Sequence, residues 1–106
     1  MSRDLLGQFE QLVLLAILRI DDEPYAVRII DEIESRTGRV VSHAAVYVAL
    51  KRLETKGLVS SKLGPPTARR GGRAKRLFHV KSAALRQLRD GRDAILSMWD
   101  GLEEAL

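Results

Sequence analysis

Apolar residues recur early in the chain with the period of a helix. Phe9, Leu12, Val13, Ala16, Ile17 and Ile20 stand at i, i+3, i+4, i+7, i+8 and i+11, the spacing that lines one helical face. Leu14, Leu15 and Leu18 carry apolar surface almost around the helix, so it is expected at the centre of the fold with neighbours on several sides. The acidic turn Asp21-Asp22-Glu23-Pro24 ends this segment and seeds the next. There Ala26, Ile29, Ile30 and Ile33 repeat the spacing until Thr37-Gly38 supplies a stop. Arg39-Val40-Val41 is long enough only for an extended connector or one rung of a sheet. Ser42 has the chemistry of an N-cap and opens a third helix to Lys56, with Gly57 as its left-handed terminator and Val46, Leu50 and Leu53 as its inward stripe.

Beyond Gly57 the period changes. Leu58 to Leu63 and Arg76 to Val80 have strand character and bracket a polar loop, Gly64 to Arg73, so a long-tipped β-hairpin is predicted. A last helix runs from about Ser82 to the C-terminus, with Gly91 and Gly101 as weak points. The order helix, helix, short strand, helix, hairpin, helix defines the expected fold class. It is mainly α (α+β): a winged helix-turn-helix with a two-stranded wing and a long C-terminal helix. The expected division is a winged-helix DNA-binding domain over residues 1–81 and a dimerisation helix over 82–106.

Charge sharpens this picture. The 106 residues carry a net +4, but residues 42–81 hold ten Lys/Arg against one Glu, net +9, while both flanks are acidic. A central basic block of this kind is the footprint of a polyanion partner. A membrane surface is a poorer match, because it favours one basic amphipathic helix and this block spans a helix, a hairpin and a loop. No membrane partner is expected. There are no cysteines, which excludes disulfides and thiolate chemistry. The start Met1-Ser2-Arg3-Asp4 lacks a signal-peptide layout and no apolar run is long enough to span a bilayer, so a cytoplasmic location is expected.

The third helix carries the candidate site. Opposite its inward stripe stand Ala44, Val48, Lys51 and Thr55, with Tyr47 and Arg52 on the flanks and Ser42 and His43 at the N-terminal end. Small residues near the start would let the backbone approach a major groove, and the longer cationic and phenolic ones would reach phosphates or base edges. An isolated helix with this face would more often be merely solvated; its place between a helix pair and a basic hairpin favours duplex DNA. Arg69, Arg70, Arg73, Lys75 and Arg76 put five cations within eight positions of the hairpin, with no neighbouring acid in the sequence to pair with them. Phosphate or minor-groove contact explains them better than a solvated loop. Enzymatic signatures are missing. His43 and His79 have no acid at metal-ligand spacing, and Gly71-Gly72-Arg73 lacks the Lys-Ser/Thr of a phosphate-cradling loop. No catalytic residue, metal or cofactor is expected.

The last helix has a second message. Leu85, Leu88, Arg92, Ile95, Trp99, Leu102 and Leu106 alternate at intervals of three and four, a heptad seam with one polar member. Such a seam suits a homodimer, or a fold-back onto the first helix of the same chain. Both can hold together.

These residues resemble the PadR-type transcriptional regulators. Gly7 to Leu18 resembles their N-terminal helix, Tyr25 to Gly38 their second helix, and Val46 to Val59 their recognition helix and strand entry. Gly71 to Val80 looks like their Gly-Gly-Arg wing, and the run from Tyr47 to Glu54 is the most specific piece. The resemblance covers about residues 5–82. It implies a dimeric winged-helix factor, usually a repressor released by a small molecule or another signal, of the short subfamily with a single C-terminal helix. It also implies DNA contacts at Tyr47, Lys51, Arg52, Arg73 and Lys75. Departures from the family pattern are Pro24, His43-Ala44-Ala45, Ala74, Leu77 and Lys81, the last leaving Ser82 as the expected cap of the final helix. Regulators of this kind that take hydrophobic drugs at their dimer interface suggest Trp99 as a ligand residue for a small hydrophobic or aromatic effector. The competing reading packs Trp99 with Met98 and Leu102 in a closed core. Two rival functions are a protein–protein module with a basic wing and a single-strand or RNA binder. The latter is weakened by an aromatic content of 5%.

Overall fold

A computed structural model describes residues 6–65 and 74–105. Three helices, α1 (Gln8–Arg19), α2 (Ala26–Thr37) and α3 (His43–Thr55), precede a hairpin of β1 (Val59–Leu63) and β2 (Arg76–Val80). The long helix α4 (Ser82–Trp99) follows, and a 3-10 turn at Glu103–Ala105 closes the order. This is the winged helix-turn-helix expected from the periodicity. The periodic stripes meet in one core: Val13 and Leu14 of α1, Ile29 of α2, and Val46, Leu50 and Leu53 of α3 are all essentially buried. Leu58, Val59 and Val80 close it from the hairpin side.

The turn chemistry explains where each helix stops. Gly38 adopts φ +73° after α2 and returns its N–H to the Glu34 carbonyl, a conformation that costs an L side chain about 1–2 kcal/mol. After α3 the Leu58 N–H bonds the Leu53 carbonyl and the Gly57 N–H bonds that of Glu54, with Gly57 at φ +78°. That pair of bonds is a Schellman motif, and it turns the chain directly into β1.

As expected of a central helix, α1 packs on α2, α3 and β2, although Leu15 and Leu18 are 44% and 47% exposed. Three expectations about connectors and helix ends need correction. Arg39 to Val41 forms no rung of the sheet. It is an extended connector whose Val41 N–H is held by the Glu34 carboxylate at 2.9 Å, and the extra rung comes from the Pro24 carbonyl, which accepts the Phe78 N–H at 3.0 Å. Ser82 is the first residue of α4, not its cap; Lys81 holds the cap position without a side-chain bond, and its N–H is tied to the Leu58 carbonyl. Finally α4 ends at Trp99, because Asp100 leaves the helical region and Gly101 takes φ +84°.

The hairpin is antiparallel, with Val59 opposite Val80, Ser61 opposite Phe78 and Leu63 opposite Arg76. Helix α4 enters the core through Ala84 and Leu88. Gly91 is a point of close approach rather than a weak point: a Cβ there would lie 3.3 Å from Gln11 Nε2 of α1. Past Gly91 the helix leaves the body of the molecule, and Ile95, Leu96, Met98 and Leu102 are each more than half exposed.

A methyl group added at Gly57 would meet open space, so only backbone strain opposes substitution. Gly57→Ala should cost about 1 kcal/mol and lower the thermal unfolding midpoint by roughly 4–8 °C. Gly57→Asn should lose less, because Asn tolerates the left-handed region. Circular dichroism melts of the two variants check both the size and the order.

Candidate nucleic-acid interface

The register of α3 sets which side chains face outwards. Its start is capped by Ser42, whose Oγ accepts the Ala45 N–H at 3.1 Å, as expected from the sequence. With Val46, Ala49, Leu50 and Leu53 buried, the residues Ala44, Tyr47, Val48, Lys51 and Arg52 all lie on the exposed side, and His43 is exposed at the first turn. Tyr47 and Val48 are 53% and 55% exposed. The far end of α3 is anchored by charge. Lys56 Nζ lies 3.2 Å from both carboxylate oxygens of Glu10. Glu10 is buried and also accepts the Gly7 N–H at 3.4 Å. Among the cations of the basic block, Lys56 therefore braces α3 against α1.

The wing carries the other candidates. Arg69, Arg70 and Arg73, with Gly71 and Gly72, lie outside the described residues. Lys75 and Arg76 stand at the wing's root, and their surroundings differ from the expectation of cations without an acid. Lys75 Nζ sits 3.9 Å from the centroid of the Tyr25 ring, a cation–π contact. Arg76 Nη1 donates to Ser61 Oγ at 2.9 Å, and that hydroxyl donates to Glu54 Oε2 at 2.8 Å. Glu54 lies seven positions before Ser61, and only the hairpin's return beside α3 joins these groups.

Two open grooves run beside α3. One lies between the start of α2 and the wing root and is lined by Tyr25, Val27, Tyr47, Ala74, Lys75 and Phe78. The second follows α3 and is lined by Tyr47, Lys51, Glu54, Thr55, Arg76 and Phe78. Tyr47, Arg76 and Phe78 border both. The structure thus brings Tyr47, Lys51, Lys75 and Arg76 to one side of the molecule. Ala44, Val48 and Arg52 line a different hollow, beside Gly7 and Phe9 of α1, so the expected face of α3 divides between two surfaces. Tyr25, Glu54, Ser61 and Phe78 were not singled out from the sequence. A signal for Tyr25 existed: it holds the N-cap position of α2 without a side-chain cap bond, where Ser, Thr, Asp or Asn would be usual.

The seam residues separate as well. Leu88 belongs to the core of its own chain, whereas Leu85 is 37% exposed. Arg92 pairs with Asp93 at 3.0 Å in solvent. Ile95 and Trp99 are exposed on the helix, Leu102 lies past its end, and Leu106 is outside the described residues. Trp99 is 40% exposed, and its neighbours Met98 and Leu102 are exposed too, so within one chain it is in no closed core. Among the described residues no group of three or more His, Cys, Asp or Glu could hold a metal ion, and no described helix is long and apolar enough to cross a membrane.

The model of the PadR-like transcriptional regulator family matches residues 14–90. The chain belongs to this family. The match takes in the second half of α1, α2, α3, the wing and the first half of α4, and it stops one residue before Gly91, where α4 leaves the body. Solved structures agree in fold. A transcriptional regulator from Clostridium thermocellum superposes with a TM-score of 0.75 at 18% identity, covering 98% of this chain and 96% of that chain. A PadR-like transcriptional regulator from Bacillus cereus gives 0.69 at 20% identity, covering 98% and 92%. The hsRosR-S4 complex gives 0.68 at 22% identity, covering 96% and 80%. A search of curated protein sequences returns no significant match. As a PadR-like chain it has a family role in transcription, and its own site follows from its residues.

Proposed function

We propose that this PadR-like chain is a sequence-specific, double-stranded DNA-binding repressor that acts as a cytoplasmic homodimer and catalyses no reaction. One observation carries the reading: the exposed side of α3, with Tyr47 and Lys51, faces grooves shared with the root of a basic wing, inside a block of net charge +9. A helix offered in this way can enter a major groove while cations beside it neutralise phosphates. In this reading Ser42, His43, Ala44, Tyr47, Val48, Lys51 and Arg52 meet DNA from α3, and Arg69, Arg70 and Arg73 from the wing. A protein–protein module would use the same basic surface on an acidic partner; a steep salt dependence with preference among duplexes separates the two.

The exposed apolar residues of α4, together with Leu15 and Leu18 on the outer face of α1, support the homodimer. Exposed apolar side chains gathered on one helix end suit burial against a second copy. Residues 1–81 then serve DNA and 82–106 the dimer, with Ala84 and Leu88 belonging to the core of the first part. Two α3 helices would reach half-sites about one helical turn apart, roughly 34–36 Å. Trp99, near the end of the shared helix, is the place where a small hydrophobic or aromatic effector would bind and release the repressor.

Three measurements test these points. Reversing Arg70 and Arg73 to Glu should weaken all duplexes alike and flatten the salt slope by about 0.9 for each phosphate no longer neutralised. Tyr47→Ala or Lys51→Ala should instead change the ranking among duplexes selected from a random pool. Equal effects of both classes on specific and random DNA would remove the division between wing and helix. Ile95→Glu with Leu102→Glu should give monomers or unfolded chain by solution mass at micromolar concentration; a well-folded dimer would place the interface elsewhere. A planar cationic dye should quench the single Trp saturably and lower DNA affinity, since coupling between sites is reciprocal. If a broad panel of such dyes changes neither emission nor DNA binding, Trp99 is structural.

A further inference from the structure

Lys75 and Arg76 are neighbours in sequence, yet each is held by a different helix. Lys75 rests on the ring of Tyr25 at the start of α2, 3.9 Å from its centroid. Arg76 reaches diagonally across the hairpin to Ser61, and through that hydroxyl to Glu54 near the end of α3. Backbone bonds reinforce the same place: the Phe78 N–H donates to the Pro24 carbonyl at 3.0 Å and the Gly64 N–H to the Lys75 carbonyl at 2.7 Å. We propose that Tyr25 and Glu54 are positioning residues that brace the wing root from two sides, with Lys75 and Arg76 as the braced cations rather than phosphate ligands. The inference rests on the DNA-reading function proposed above and says how its geometry is set.

The physical case is one of leverage. A two-stranded ribbon is marginal by itself, and the segment between Pro65 and Ala74 carries Arg69, Arg70 and Arg73. The angle at the root therefore governs where those arginines can reach relative to α3. An arginine joined through one serine hydroxyl to a carboxylate, and a lysine over an aromatic ring, each forgo part of their interactions if they turn to a phosphate. Glu54 is the only acid in residues 42–81. Beside a polyanion it would oppose binding by simple charge, at an energy that falls with distance and salt. Its bond to Ser61 supplies a structural role that outweighs this repulsion.

The sign of the Glu54 effect makes the test decisive. Binding of the selected duplex and of random duplex by the full-length chain is measured by fluorescence anisotropy at several salt concentrations. Glu54→Ala should weaken the selected duplex, whereas charge removal alone would tighten it. Tyr25→Leu removes no charge and should weaken binding about threefold to tenfold, the range of a partly desolvated cation–π contact. Lys75→Met should match it, and the double variant should be no weaker than either single one. Tyr25→Phe, which keeps the ring, should behave as wild type. The salt slope of Lys75→Met should stay within about half a unit of wild type, since Lys75 neutralises no phosphate. Tighter binding by Glu54→Ala, or a slope lowered by about 0.9 in Lys75→Met, overturns the proposal.

A second measurement needs no DNA. Amide hydrogen exchange of Phe78 in the free, folded protein should be several-fold faster in Tyr25→Leu, because its partner Pro24 adjoins Tyr25. Protection equal to wild type would remove the brace even if DNA binding is abolished. If the wild-type chain prefers no duplex, the DNA-reading function fails, and the exchange result alone decides the brace.

Discussion

The inner face of α3 is closed to solvent along its length, with Val46 and Leu53 fully buried and Ala49 and Leu50 nearly so, against α1, α2 and β1. Each large aliphatic in that row contributes roughly 1.5–3 kcal/mol by leaving water, and a turn of the helix by one residue would expose the row. The helix has no alternative register, and its outward residues follow without further choice. The same helix is pinned at both ends, by the Ser42 cap and by the Lys56–Glu10 pair. Glu10 is buried, and removing its partner would strand a charge away from water, a more costly event than breaking a surface pair. A helix held in this manner keeps the backbone at Tyr47 and Lys51 fixed relative to the core.

Positive charge in the central block has different uses at different positions. Lys56 is turned inwards to α1, Lys75 lies on Tyr25, and Arg76 is linked through Ser61 to Glu54. Lys51 and Arg52 stand exposed on α3. A net charge counts all of these alike, whereas an approaching phosphate meets only those whose side chains are available to turn outwards. The internal contacts also join the hairpin to both helices of the helix-turn-helix, so the wing root and α3 form one assembly.

Helix α4 divides at Gly91. Before it, Ala84 and Leu88 complete the core. The glycine permits the close approach of α4 to Gln11. After it Ile95, Leu96 and Met98 are exposed among the described residues, and the family match ends at the same place. The exposed Leu15 and Leu18 of α1 belong to the same account: a fold this small cannot bury every apolar residue it carries.

The first three helices, the hairpin, the caps at Ser42, Gly38 and Gly57 and the outward face of α3 were legible in the sequence. Period, capping chemistry and glycine conformations are local, and residues within a few positions of one another determine them. The concentration of charge was legible for the same reason. What required the tertiary structure was every pairing across the chain. Pro24 as the extra rung to Phe78, Tyr25 beneath Lys75, Glu54 joined through Ser61 to Arg76, and Glu10 under Lys56 link residues from 7 to 54 positions apart. A heptad pattern likewise could not tell that Leu88 faces its own core while Ile95 faces solvent, because both satisfy the same spacing. Local rules choose the elements and their faces; which charge or ring finishes beside which is decided only when the core closes and sets the distances between them.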